Sequence, residues 1–93
     1  MPAAAARLVI TGRVQGVGFR LWTSSAATER GLRGWVRNRR DGSVEALLIG
    51  EDEDVAAVVE ACRSGPRLAR VERVSRLPAE DDGSPDFTER ATA

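Results

Sequence analysis

Residues 32–49, LRGWVRNRRDGSVEALLI, place two β-prone runs around a single Asp-Gly pair, and this stretch decides the fold. Asp41-Gly42 is the strongest hairpin signal in the chain, because a short antiparallel turn needs residues that tolerate positive φ. Leu32–Arg39 therefore reads as one strand and Ser43–Ile49 as its return. Working outward toward the N-terminus, RLVITGR (Arg7–Arg13) is another β-prone run, stopped by Gly12. VQGVG (Val14–Gly18) is too glycine-spaced for helix or strand and reads as a loop. Phe19 or Arg20 through Arg30 then reads as a helix ended by Gly31, with Trp22, Ala26 and Ala27 along its buried side.

Outward in the other direction, Gly50–Asp54 breaks the third strand and brings acids to a helix N-terminus, where the helix dipole favours them. Val55, Val58, Val59 and Cys62 recur at the spacing of an amphipathic helix, and Gly65-Pro66 stops it. Ala69–Leu77 reads as a fourth strand whose apolar alternation slips between Val71 and Val74, which predicts a bulge. Residues 78–86 read as loop, and Phe87–Arg90 as a possible short edge strand. Strand, helix, two hairpin strands, helix and strand form the βαββαβ order of an α+β, ferredoxin-like sandwich: a four-stranded antiparallel sheet with both helices on one face.

The chain has 93 residues, 42% hydrophobic and 30% charged, the balance of one globular domain spanning residues 1–93. No apolar run approaches the roughly 20 residues of a membrane-spanning helix. Met1–Ala6 lacks the basic start of a signal peptide. The only cysteine is Cys62 and there is no histidine. Intramolecular disulfides, cysteine-rich metal sites, Ser-His-Asp triads and Cys-His dyads are therefore excluded, and a reducing cytoplasmic setting is expected. Net charge is zero, yet residues 1–40 carry eight arginines and one acid (+7) and residues 41–93 six arginines and thirteen acids (−7). All fourteen basic residues are arginine, whose planar fork suits phosphate and carboxylate.

The segment that carries chemistry is Gly12-Arg13-Val14-Gln15-Gly16-Val17-Gly18-Phe19-Arg20. It has neither the Gly-Lys-Ser/Thr of a nucleotide-binding P-loop nor the spacing of a dinucleotide fingerprint. It sets a strand, a flexible turn and a helix N-terminus in direct succession, so the amides of residues 15–20 can converge on one anion. Arg20, where the loop enters the helix, can grip the same anion through two parallel hydrogen bonds. Asn38, late in a strand before a turn, reads on its own as a turn-forming residue. Glu51-Asp52-Glu53-Asp54 lacks calcium-loop spacing and reads as helix capping; Cys62, Trp22 and Trp35 read as packing residues.

The run Arg13-Val14-Gln15-Gly16-Val17-Gly18-Phe19-Arg20 resembles the N-terminal signature of the acylphosphatase family. Gly34-Trp35-Val36-Arg37-Asn38 followed by Asp41-Gly42-Ser43-Val44-Glu45 resembles its second signature, and Gly65-Pro66, Ala69 and Val71 also fit, so the likeness covers about residues 7–90. It implies a metal-free, cofactor-free hydrolase that cleaves small acyl phosphates to carboxylate and inorganic phosphate. It further implies that Arg20 binds the phosphate and that Asn38 orients the attacking water. The amides of Gln15, Gly16, Val17, Gly18 and Phe19 would form the cradle. Inorganic phosphate and sulfate would compete with substrate.

The chain is read as a monomer with no nucleic-acid or membrane partner. The alternative function is a non-catalytic ferredoxin-like module binding RNA or an anion. RNA binders of this fold stack bases on aromatic residues of the two central strands, and the strands taken as central, 7–13 and 69–77, contain none. A second alternative, the acylphosphatase-like domain at the front of larger carbamoyl-transfer proteins, is disfavoured because no zinc-finger cysteines follow.

Overall fold

A computed structural model describes residues 3–93. In chain order the elements are β1 (Ala3–Arg13), α1 (Phe19–Glu29), β2 (Arg33–Asn38), β3 (Val44–Glu51), α2 (Asp52–Cys62), β4 (Arg70–Pro78) and β5 (Phe87–Glu89). The sheet runs β4-β1-β3-β2-β5. Each neighbouring pair among its first four strands is antiparallel, while β5 lies parallel to β2. This is the expected ferredoxin-like arrangement with the edge strand added, and the sheet as a whole is mixed.

The apolar side chains sort onto two faces by strand alternation. Leu8 and Ile10 of β1, Val36 of β2, and Val44, Ala46 and Leu48 of β3 form one core with Phe19 and Ala27 of α1 and Val55, Val58, Val59 and Cys62 of α2. Both helices therefore cover the same face. The opposite face holds a smaller cluster of Trp35, Leu47 and Ile49. It is roofed by the 79–86 connection: Ala79 packs on the cluster, and the Asp82 carboxylate accepts a 3.2 Å hydrogen bond from the Trp35 indole N–H. Arg37 and Arg90 lie over the Trp35 ring at 4.8 and 4.9 Å from its centroid.

Several expectations change in detail. Of Met1–Ala6, read as no leader peptide, Met1 and Pro2 lie outside the described residues, whereas Ala3–Ala6 extend β1 by pairing with Leu48–Glu51. Pairing to a long apolar partner strand overrides alanine's low strand preference. The buried residues of α1 are Phe19, Thr23 and Ala27, and Trp22 and Ala26 are only half-buried. The hydroxyl of Thr23 satisfies itself by donating to the Phe19 carbonyl at 2.8 Å, so a polar residue can occupy the inner stripe. The central strands are β1 and β3, and β4 is an edge; β3 also lacks aromatic residues. The predicted bulge is real: Thr11 pairs with Arg73 and Gly12 with Val71, leaving Glu72 as the extra residue.

At Gly34 φ is +130°, and a Cβ there would stand 1.9 Å from the Leu47 carbonyl oxygen. Because the obstacle is ladder backbone, Gly34→Ala should lower unfolding free energy by at least about 2 kcal/mol, read from urea denaturation. Glu45, 3% exposed, is held by Arg7 and Arg37 across the sheet. Burial opposes its charged form, but the hydrogen bonds and charges of Arg37 and Arg7 outweigh burial and hold its carboxyl below the usual range. A carboxyl depressed in the folded state stabilises fully above its unfolded value of about 4.3 and loses that contribution as pH falls through the folded value. Glu45→Gln should therefore cost about 1–3 kcal/mol at neutral pH and flatten the acid limb of stability. An unchanged acid limb would show that the pair contributes nothing.

Candidate active site

The loop between β1 and α1 is pinned by alternate residues. Val14 and Phe19 are buried and Val17 is half-buried against the main core, while Gly16 and Gly18 are exposed. The backbone is thereby drawn taut over the core with its glycines facing out. Gly16 (φ +72°) and Gly18 (φ +81°) both occupy left-handed conformations, and nothing lies within 4 Å of where a Cβ would stand. Glycine is required here by conformation, and the space beside it stays open to a ligand.

Gly18 is also the N-cap of α1; no side chain caps that end and no acid lies in the first turn. The first amides of an 11-residue helix are thus left for an external acceptor, with the helix dipole favouring an anion. Phe19 makes an edge-to-face contact with Trp22, centroids 5.5 Å apart, which locks the helix start onto the core.

β2 brings in the second component. Asn38 pairs with Val44 at the end of the β2–β3 ladder, and strand alternation sets it on the same sheet face as Val36, the face that carries α1. The connection that follows is closed by the Arg39 amide donating to the Ser43 carbonyl at 2.9 Å, and Asp41 Oδ1 accepts from both the Ser43 amide and hydroxyl. These bonds, the hydroxyl's first, hold the Asp41 carboxyl below its ordinary range.

Loop and hairpin are joined directly. The Gln15 side-chain amide donates to the Arg39 carbonyl at 2.7 Å and to the Ser43 carbonyl at 2.9 Å. Sequence reading assigned Gln15 only a backbone role; its side chain in fact sets the distance between the loop and Asn38. The pairing could not be read from the chain because its acceptors are backbone carbonyls 24 and 28 residues away.

The result is a cavity of about 150 Å³ lined by Gly16, Gly18, Phe19, Arg20 and Asn38, with Val14 beneath and Leu21 and Glu89 beside them. Of the seven residues singled out from sequence, five line this cavity. The side chains of Gln15 and Val17 do not; one bonds to the hairpin and the other packs on the core. Arg20 is half-buried and, among the described residues, forms no ion pair. Glu89 was missed. It belongs to β5, whose register against β2 sets Glu89 beside Val36; the parallel pairing that delivers it has no local signal in the sequence. Its carboxylate is exposed and opposes any anion in the cavity.

Cys62 lies elsewhere, under α2. Burial pushes its thiol up to about 12, which leaves it protonated and unreactive at neutral pH. Among the described residues, no helix is long and apolar enough to cross a membrane.

The acylphosphatase family model matches residues 6–89. An acylphosphatase from Azorhizobium caulinodans is 60% identical over 73 residues, covering 78% of each chain. The crystal structure of the Bacillus subtilis acylphosphatase superposes with a TM-score of 0.89 at 37% identity, covering 92% of this chain and 97% of that one. Full-length HypF in its phosphate- and nucleotide-bound form also contains the fold, with a TM-score of 0.90 at 26% identity, but this chain covers only 12% of it. The match spans both signatures and nearly all of the β1-to-β5 fold, and the chain belongs to the acylphosphatase family.

Proposed function

We propose that this member of the acylphosphatase family hydrolyses small acyl phosphates to carboxylate and inorganic phosphate by in-line attack of water on phosphorus. The observation that carries the proposal is the meeting of Arg20, Asn38 and the two outward-facing glycines around one small cavity. The phosphoryl oxygens sit against the amides of Gln15, Gly16, Val17, Gly18 and Phe19 and the guanidinium of Arg20. These donors disperse the charge of a loose, metaphosphate-like transition state and are oriented before the reaction begins. Asn38 accepts a hydrogen bond from the attacking water. Its amide is uncharged, so it does not repel the dianion as a carboxylate would.

In the reaction a water oxygen bonds to phosphorus while the bond from phosphorus to the acyl oxygen breaks, its electron pair leaving with the carboxylate. That leaving group is already stable as an anion, and no strong general acid is needed. The water's proton passes to a phosphoryl oxygen of the substrate. Positive charge at the phosphoryl group comes from Arg20, and no metal or other cofactor enters the scheme. We take the chain to act as a monomer in a reducing cytoplasm, with Cys62 as a packing residue. The RNA-binding alternative finds no support: β1 and β3 carry no aromatic residue, and Trp35 is only 8% exposed beneath two arginines.

The decisive experiment separates binding from turnover. Arg20→Ala removes a contact present in both ground and transition states, so it should weaken competitive inhibition by phosphate and sulfate as well as slow the reaction. Lysine at position 20 should rescue poorly, since a point charge cannot copy the planar fork. Asn38→Ala should leave the phosphate inhibition constant nearly unchanged and lower kcat by about 10²–10³-fold. A folded Asn38→Ala protein with near-normal turnover would remove Asn38 from the mechanism. Exhaustive chelation should leave acyl-phosphate hydrolysis intact; activity lost to chelator and restored by magnesium would overturn the scheme.

A further inference from the structure

The phosphate loop has a second side. Gly16 borders the cavity described above and also a larger cleft of about 270 Å³, where it is joined by Val17, Arg13, Arg67, Leu68 and Arg70. Arg13 and Arg70 are partners across the β1–β4 ladder. Arg67 and Leu68 lie in the turn leading into β4, closed by the Ala69 amide donating to the Pro66 carbonyl at 3.0 Å. Three arginines thus converge on one depression from two separate segments of the chain.

Eight other arginines have a carboxylate within 4.0 Å, but among the described residues Arg13, Arg67 and Arg70 have none. No acidic residue lines the cleft. Three like charges in one concavity repel one another and raise the local concentration of anions. Leu68, 67% exposed, adds an apolar surface beside them. Where the two cavities meet, Gly16 offers no side chain and open space. A phosphoryl group held by the loop amides can therefore pass its acyl portion over Gly16 toward the three guanidinium groups.

We infer that this cleft receives the acyl end of the substrate and favours acyl phosphates whose acyl fragment carries a second anionic group, a carboxylate or a phosphate ester. The inference rests on the hydrolytic reading of the adjoining cavity and adds a specificity to it. Leu68 covers the carbon skeleton, and Arg13, Arg67 and Arg70 meet the distal charge.

The test compares benzoyl phosphate with para-carboxybenzoyl phosphate, rigid substrates that differ at the far end of the ring. The wild-type protein should prefer the second in kcat/KM, and the preference should shrink as salt screens the cleft. In the Arg67→Ala, Arg70→Ala double variant that preference should fall by about fivefold to tenfold. Benzoyl phosphate turnover should stay within twofold in the same variant, which also certifies its fold. Terephthalate, which has the distal charge but no phosphoryl group, separates a substrate subsite from an effector site. It should compete with para-carboxybenzoyl phosphate at the subsite, whereas a change in kcat for benzoyl phosphate would mark a regulatory anion site and overturn the inference. A substrate ratio unchanged by the double substitution would overturn it too. If benzoyl phosphate is not hydrolysed at all, the catalytic reading fails. The cleft is then decided by calorimetry: para-carboxybenzylphosphonate should bind more tightly than benzylphosphonate to the wild-type chain only, and equal binding would reject the cleft.

Discussion

The site depends on a constraint at β1, whose backbone is hydrogen-bonded along both edges, to β3 from Ala3 to Ile10 and to β4 from Ala6 to Arg13. A strand held on two sides cannot shift its register, because any slip would turn its inward residues Ala6, Leu8 and Ile10 out of the core. The end of β1 is therefore a fixed point from which the phosphate loop departs. Gln15 then fastens the loop to the β2–β3 connection, which is itself anchored through β3 to the same central strand. Loop and Asn38 are positioned by one connected set of backbone ladders. Geometry of this kind suits a mechanism that consists of positioning and prearranged donors with little covalent chemistry.

A loop that must offer its amides outward cannot also satisfy them inside. The structure resolves this by burying side chains and leaving backbone free. Val14 and Phe19 anchor the two ends in the core, while Gly16 and Gly18 take left-handed turns between them. A capping serine or aspartate in place of Gly18 would be strained at its left-handed φ of +81°, and its side-chain oxygen would compete for the donors meant for phosphate. The uncapped helix start is thus a local cost accepted for function, of the sort that concentrates at sites rather than in scaffolds.

Where interactions are local, the chain can be read. The Asp41-Gly42 turn, the valine spacing of α2, the slip between Val71 and Val74 and the glycine-spaced loop each act over a few residues, and each has its counterpart in the structure. Where partners are distant, reading stops. The parallel pairing of β5 with β2 brings Glu89 to the cavity across some fifty residues of chain, and no turn chemistry announces it. The inner stripe of α1 was misjudged because Thr23 buries its hydroxyl against the Phe19 carbonyl, a bond that hydrophobic pattern alone does not reveal. Assigning 69–77 as a central strand failed for the same reason: strand order is a long-range property, settled by which edges pair.

The charge segregation in the sequence takes on meaning only after folding. Acids of the C-terminal portion neutralise arginines of the N-terminal portion: Glu45 holds Arg7 and Arg37, Asp54 pairs with Arg30, and Asp81 with Arg33. These pairings lie on the sheet's helix-free face and around α1's far end, away from the loop. Around the loop Arg20, Arg13, Arg67 and Arg70 remain without carboxylate partners among the described residues. A chain of zero net charge thereby keeps a local positive field at one end of the sheet. Neutrality elsewhere limits non-specific attraction to polyanions, while the unpaired cluster draws small anions to the amides that hold them. Glu89 at the edge of the cavity is the counterweight in that field, a single carboxylate that opposes retention of the phosphate left after hydrolysis.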